Sequence, residues 1–395
     1  MQQITVSDYP SAAFTGDPVP LPEEPVAQVR LPSGDTVWLV SGYDEVRIAL
    51  AHPLLSRDVG KHGPRAGTGG AMGTSRWDVR TLQNDGAAHG ELRRLAARPF
   101  TPRRVEGLRR RVQELTDGCL DAMEESGPPA DLLGALAQPL PIAVIMELFA
   151  VPERDREDFV RWSDRIVTLF GITEQEVDDA HAAMRAYLDG LIAERRARPG
   201  DDLLSGWLTA QEGGDRLSDE EVNLLAQSVL IAGFETTVSA IGAGMWRLFQ
   251  HPEQLAAVRA DRGLLRGTVE EILRHQPMGL FFSMMVARGE LELGGVTIRA
   301  GEAVMPLPHA ANRDPARFAD PHRFDIRRAN TGHLGLGHGP HSCLGAALAR
   351  IELEVAIGTL NRRFPGLRPV DTDLTALAWR GDRLVAGLAE LRVTW

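Results

Sequence analysis

The sequence predicts a mainly α chain with a smaller β portion, on three observations. From His89 onward, apolar residues recur at helical spacing through most of the chain. One apolar stretch, from about Glu220 to Gln250, is long enough for more than eight helical turns. Short β-branched runs bracketed by turn residues stand at both ends of the sequence.

The elements follow in order. Val26 to Val40 reads as strand, turn, strand, with Pro32-Ser33-Gly34-Asp35 as the turn, and a short helix covers Tyr43 to Ala51. Residues 60–76 hold six glycines and no periodicity, which predicts a loop. Helices are expected over Pro141 to Phe149, Arg154 to Leu169, Glu174 to Arg198 and Ser218 to Phe249; Pro199 and Gly200 stop the third. Leu291 to Ile298 and Leu391 to Trp395 read as strands. There is no internal repeat and no low-complexity tail.

Of the 395 residues, 43 % are hydrophobic and 25 % charged, the balance of an ordinary globule with a substantial core. A net charge of −11 excludes general nucleic-acid binding, which needs a basic footprint. No apolar run reaches the ~18–20 residues of a membrane span, and the first twenty residues lack the basic lead and apolar core of a signal peptide. A cytoplasmic protein is expected. Two cysteines, Cys119 and Cys343, cannot build a disulfide framework; Cys119 sits in a helical run as a small hydrophobe.

Cys343 is the informative one. The run Gly337-His338-Gly339-Pro340-His341-Ser342-Cys343-Leu344-Gly345 delivers a thiol to the start of the helical segment Ala346 to Leu353. Unpaired N–H groups and the positive dipole end there favour thiolate over thiol, and a stable thiolate is a ligand for haem iron. Three further motifs follow the same logic of order: Ala232-Gly233-Phe234-Glu235-Thr236-Thr237 in the long helix, Glu271-Ile272-Leu273-Arg274 with acid and base on one helix face, and Pro321-His322-Arg323-Phe324 after a turn-rich segment. Together these resemble the cytochrome P-450 superfamily in its soluble bacterial, natural-product-tailoring form, over about Pro25 to Trp395. The resemblance implies the haem-thiolate fold, a triangular helix-rich single domain spanning residues 25–395 after an N-terminal extension of 1–24, with haem b as cofactor.

It also implies roles. Cys343 is the iron ligand; His89, Arg93 and His341 hold the haem carboxylates; Gly339 and Gly345 let the backbone approach the macrocycle. Glu235 and Thr236 form the oxygen-activation pair, because an acid beside a hydroxyl in a helix wall can organise a water chain that delivers protons. Gly233 leaves room beside them, and Thr236 can bond back to the Ala232 carbonyl. Glu271, Arg274 and Arg323 form a structural ion network. Substrate contacts fall on Leu82, Gln83, Ile231, Gly233, Phe281, Phe282, Ser283, Leu384 and Val385, and the loop at 60–76 covers the substrate. Most of these are apolar, so a hydrophobic or aromatic natural product is expected.

Two positions depart from the family pattern. Met285 stands where relatives usually carry a carboxylate-binding arginine, and Leu336 where they usually carry phenylalanine. Between Arg93 and Arg111 there are eight arginines against one acid, a local charge of +7, which points to docking of an acidic ferredoxin supplied by a ferredoxin reductase. The expected activity is a monooxygenase acting as a monomer, off the membrane. The alternatives are oxidative C–C or C–N coupling of aromatic units, such as an indole-containing cyclic dipeptide, and a non-catalytic haem sensor. A zinc module using His333, His338, His341 and Cys343 is a further reading of that segment.

Overall fold

The computed structural model describes residues 23–30, 36–58, 82, 84–168, 171–212, 215–275, 284–329, 332–380, 382–383, 385 and 387–395. The loop expected at 60–76 and the substrate positions Gln83, Phe281, Phe282, Ser283 and Leu384 lie outside them. The principal elements, in chain order, are β1 (Val26–Arg30), β2 (Thr36–Val40), α1 (Tyr43–Ala51), β3 (Leu55–Ser56), α2 (Gly86–Ala97), α3 (Arg109–Ser126), α4 (Pro139–Leu148), α5 (Arg156–Val167), α6 (Glu174–Ala197), α7 (Asp219–Gln250), α8 (Leu265–His275), β4 (Met285–Ala287), β5 (Ala303–Pro306), α9 (Ala346–Arg363), β6 (Trp379–Arg380) and β7 (Gly387–Leu388).

The helix α7 organises the α portion. It starts at a reciprocal cap, with Glu221 N donating to Ser218 Oγ (3.1 Å) and Ser218 N donating to Glu221 Oε2 (2.8 Å). Its first half packs Val222, Leu225, Ala226, Leu230 and Phe234 against α2, α4, α5 and α6. Its second half packs Ile241, Met245, Trp246 and Leu248 against α3, α8 and α9. The segment around Ala232 to Thr236 therefore lies at the junction of two cores. By length and composition α7 could cross a membrane, but 67 % of its apolar window is buried inside the protein, which makes it a core helix.

A five-stranded sheet in the order β1-β2-β5-β4-β3 supports α1. β2 and β5 pair in parallel and the other neighbours are antiparallel. Its face buries Val26, Val40, Leu55, Met285 and Val304 with Val46 and Leu50 of α1. The stretch read as one strand region from Leu291 folds into a hairpin, Leu291–Leu293 paired with Val296–Ile298. Gly294 (φ +57°) and Gly295 (φ +80°) make the tight turn that two positive φ values require.

Candidate functional site

The cysteine loop is anchored at both ends. Gly335 lies so close to α8 that a Cβ there would stand 2.2 Å from the Leu273 carbonyl oxygen, and Cys343 N donates to Leu336 O at 2.8 Å. Gly339 (φ +71°) presses on α1, where a Cβ would meet that of Ala51 at 2.9 Å. Packing on α1 and the positive φ thus both demand glycine there. Gly345 differs: nothing lies within 4 Å of where its Cβ would be. It caps α9, so Cys343 does arrive three residues before a helix start.

Cys343 is exposed. Burial nevertheless pushes its thiol pKa up, outweighing the lowering pull of the Gly345 N–H, Arg93 and Arg350. Both hold when a side chain opens onto a recess enclosed by protein. The Gly345 N–H pulls toward the thiolate as expected, burial outweighs it, and a bound metal cation would complete the shift.

Beside the thiol, α2 presents His89 and Arg93. Arg93 donates to the Ser342 carbonyl, and His89 stacks on His341 with ring centroids 4.0 Å apart. His341 Nε2 lies 3.4 Å from Asp85 Oδ1, and Asp85 also accepts from Ser56 Oγ at 2.5 Å and from Arg57 N at 3.4 Å. These bonds hold Asp85 below its usual pKa although burial works the other way. Burial, aided by His341 and Arg93, pushes His89 down to about 4, so it is neutral near pH 7. Among the described residues, His89 Nε2 and Arg57 Nε are both buried without a hydrogen-bond partner. The structure brings together the three expected groups and adds Ser56, Arg57 and Asp85, which no local signal in the sequence marked. Cationic and donor groups around Asp85, tied by Arg93 to the loop that carries the recessed thiol, fit a haem with its two carboxylates.

On α7, Ala232 is exposed in the middle of a core helix, and Thr236 Oγ1 donates to its carbonyl at 2.5 Å. The expected back-bond is present. Gly233 points elsewhere: a Cβ would stand 2.5 Å from Ile145 Cδ1 of α4, so its small size serves the helix–helix contact. Glu235 turns away from the exposed stripe and is buried, with Oε1 3.1 Å from Arg383 Nη1. Arg383 Nη2 donates to Asp164 of α5, and Arg380 Nη2 lies 3.6 Å from the same carboxylate. Arg383 was missed because its partners are 148 and 219 residues away. Leu82, Ile231 and Leu344, next to Cys343, border one apolar cluster, and Val385 is buried.

The ion network on α8 is as expected in kind but not in membership. Arg274 Nε and Nη2 each donate to Glu271 at 2.8 Å, and Arg274 Nη1 donates to the Asn312 and Pro321 carbonyls at 2.6 and 2.8 Å. Both side chains are fully buried. Arg323 contributes its main-chain carbonyl, which accepts from Arg274 and Arg328; the second guanidinium on Glu271 is that of Arg328, at 3.3 Å. Burial raises Glu271, but the bonds from Arg274 and His275 win and hold it at about 2.

The arginine-rich segment is less polarised than its own charge suggests. Arg104 pairs with Asp201, Arg109 with Glu106 and Glu354, Arg110 with Glu114, and Arg111 with Glu114 and Glu147. Arg103 remains exposed. The zinc reading fails on geometry. His333 Nε2 is on Glu270 at 3.0 Å while His341 is on Asp85, and among the described residues no three His, Cys, Asp or Glu side chains converge. Met285, 1 % exposed, belongs to the apolar face of the sheet.

Comparison with known proteins agrees with this geometry. The cytochrome P450 family model matches residues 34–374. Cytochrome P450 monooxygenase PikC of Streptomyces venezuelae is 43 % identical over 389 residues, covering 97 % of this chain and 92 % of PikC. The 6-deoxyerythronolide B hydroxylase of Saccharopolyspora erythraea is 40 % identical, over 93 % of this chain and 92 % of that protein. Among solved structures, SgvP, a putative thioether synthase in the tailoring of griseoviridin, matches at a TM-score of 0.86 and 40 % identity, covering 94 % of each chain.

Proposed function

Since the chain belongs to the cytochrome P450 family and is a haem-carrying oxidoreductase, we propose that it is a cytoplasmic monooxygenase of bacterial secondary metabolism that oxidises a hydrophobic or aromatic natural product with dioxygen, drawing electrons from a ferredoxin and its reductase. One observation carries the reading: the recessed Cys343 thiol beside open Gly345, within reach of the His89, Arg93 and His341 cluster.

Cys343 would ligate the iron, with His89, Arg93 and His341 on the haem carboxylates. Bound haem supplies one-electron and dioxygen chemistry that no side chain can perform. The chain's own residues do the rest. Thr236 carries a hydroxyl beside the exposed Ala232, where it donates to the Ala232 carbonyl and can take part in passing a proton. Glu235, behind it, is a proton reservoir: burial raises its pKa against the pull of Arg383. Leu82, Ile231, Ala232 and Val385 would offer an apolar surface that excludes water from a hydrophobic substrate.

Oxidative coupling is the second reading, favoured by the similarity to a protein described as a putative thioether synthase. Product mass separates the two: a monooxygenase adds one oxygen, whereas intramolecular coupling removes two hydrogens. Reconstitution with a ferredoxin, its reductase and a panel of hydrophobic natural products tests the proposal. Electron consumption with neither product would contradict it.

A further inference from the structure

Arg57 follows the last residue of β3, whose ladder with β4 pairs Leu55 with Ala287 and Ser56 with Val286. The ladder stops there and Arg57 stands in the bend just past the strand, where the same register carried one step on would bring it to the Met285 end of β4. A long side chain at position 57 therefore starts close to the Met285 end of β4 but leaves the strand at a bend. Met285 has gone into the apolar sheet core; Arg57 has not. Its Nε is buried with no hydrogen-bond partner among the described residues. Its guanidinium lies in the electrostatic reach of Asp85, Arg93 and His89.

The group that results is unbalanced. Two guanidiniums and two imidazoles lie around the Asp85 carboxylate, which is already engaged by His341 and Ser56. Burial, the first cause, and the nearby Arg93 lower the pKa of Arg57 to about 10, so the protein pays to keep a cation there. An unpartnered buried guanidinium donor is costly unless an anion completes it, and the planar fork matches a carboxylate.

Resting on the haem reading above, we infer that Arg57 is a haem-carboxylate ligand of this chain, supplied from β3 in place of the cation absent at position 285. Ser56 and Asp85 are its positioning residues: Asp85 accepts from both Ser56 Oγ and Arg57 N, which fixes the backbone from which the guanidinium extends.

The test is the rate at which the purified holoprotein gives up haem to excess apomyoglobin, together with its reduction potential. Arg57→Leu should lose haem about tenfold faster, the scale on which groups supporting a metal centre act. Its potential should fall, because an uncompensated carboxylate favours ferric over ferrous iron. Arg57→Lys should lie between Leu and wild type, and Met285→Arg in the Arg57→Leu background should recover retention. Unchanged haem loss in Arg57→Leu, or equally fast loss in Arg57→Lys, would overturn the inference. Thermal melting of the haem-free variants separates a folding defect, and Arg57→Gln gives a milder replacement should Leu fail to fold. If the wild type itself bound no haem through a thiolate, the underlying reading, not the role of Arg57, would be what failed.

Discussion

Arg383 Nη1 lies 3.1 Å from Glu235 Oε1, and the other end of the same guanidinium is held by Asp164. One cation from the segment between β6 and β7 is thus shared by a carboxylate in the middle of α7 and one near the end of α5. Burial is the largest influence on Glu235 and raises its pKa; Arg383 lowers it, while Asp164 and Asp382 raise it. The acid beside Thr236 is tuned by residues that never touch the exposed stripe.

This arrangement sets opposite signs for two variants. Arg383→Gln removes the lowering cation, so Glu235 should hold its proton to higher pH; Asp164→Asn removes a like charge and should let it go at lower pH. The ratio of product to hydrogen peroxide, followed against pH, should shift upward in the first and downward in the second. Glu235→Gln should abolish that limb of the profile. Shifts in the same direction would mean that both variants only loosen the fold.

Thr236→Ala should divert electrons to hydrogen peroxide and slow product formation by up to ~100-fold, the lower end of what positioned proton transfer contributes. Thr236→Ser keeps the hydroxyl and the bond to Ala232 and should retain most of the coupling. Equal coupling in Ala and wild type would remove Thr236 from proton delivery.

Breaking the α8 network should be costly. Arg274→Ala leaves Glu271 buried and charged and should destabilise the protein by ~3–5 kcal/mol in chemical denaturation. Arg328→Ala should cost less, and Arg323→Ala should be close to neutral, because Arg323 acts through its carbonyl. Glu271 is held at about 2, below its ordinary 4.5, so its contribution is fully present above about pH 4.5 and is lost as pH falls toward 2. A flat stability profile across that window in wild type, or a large loss in Arg323→Ala, would contradict the assignment.

The ferredoxin prediction narrows to Arg103, since Arg104, Arg109, Arg110 and Arg111 already have acidic neighbours. Arg103→Glu should slow reduction by an acidic ferredoxin at low salt and flatten the salt dependence, without changing substrate affinity. Unchanged stopped-flow reduction kinetics would place docking elsewhere.

What the sequence made legible was local in the chain. The Cys343 loop, the His89–Arg93 pair at i,i+4, the Thr236 back-bond and the α8 acid–base pair each lie within one helix turn or one loop, where spacing dictates geometry. What it hid depends on partners distant in the chain. Arg383 reaches Glu235 across 148 residues. Arg57 meets Met285's neighbourhood only through the β3–β4 register. At Gly233 and Gly339 a further constraint was hidden: a neighbouring helix, through Ile145 or Ala51, occupies the space a side chain would need. Arg328 replaced Arg323 because a turn, with no fixed period, decides which guanidinium faces α8.

The central claim is that Cys343 binds the iron as a thiolate, and the absorption spectrum of the reduced, carbon monoxide-bound protein tests it most directly. Wild type should show the far red-shifted Soret band that thiolate ligation gives, and Cys343→His should lose it while still binding haem. Absence of the band in wild type, or its survival in Cys343→His, would contradict the account.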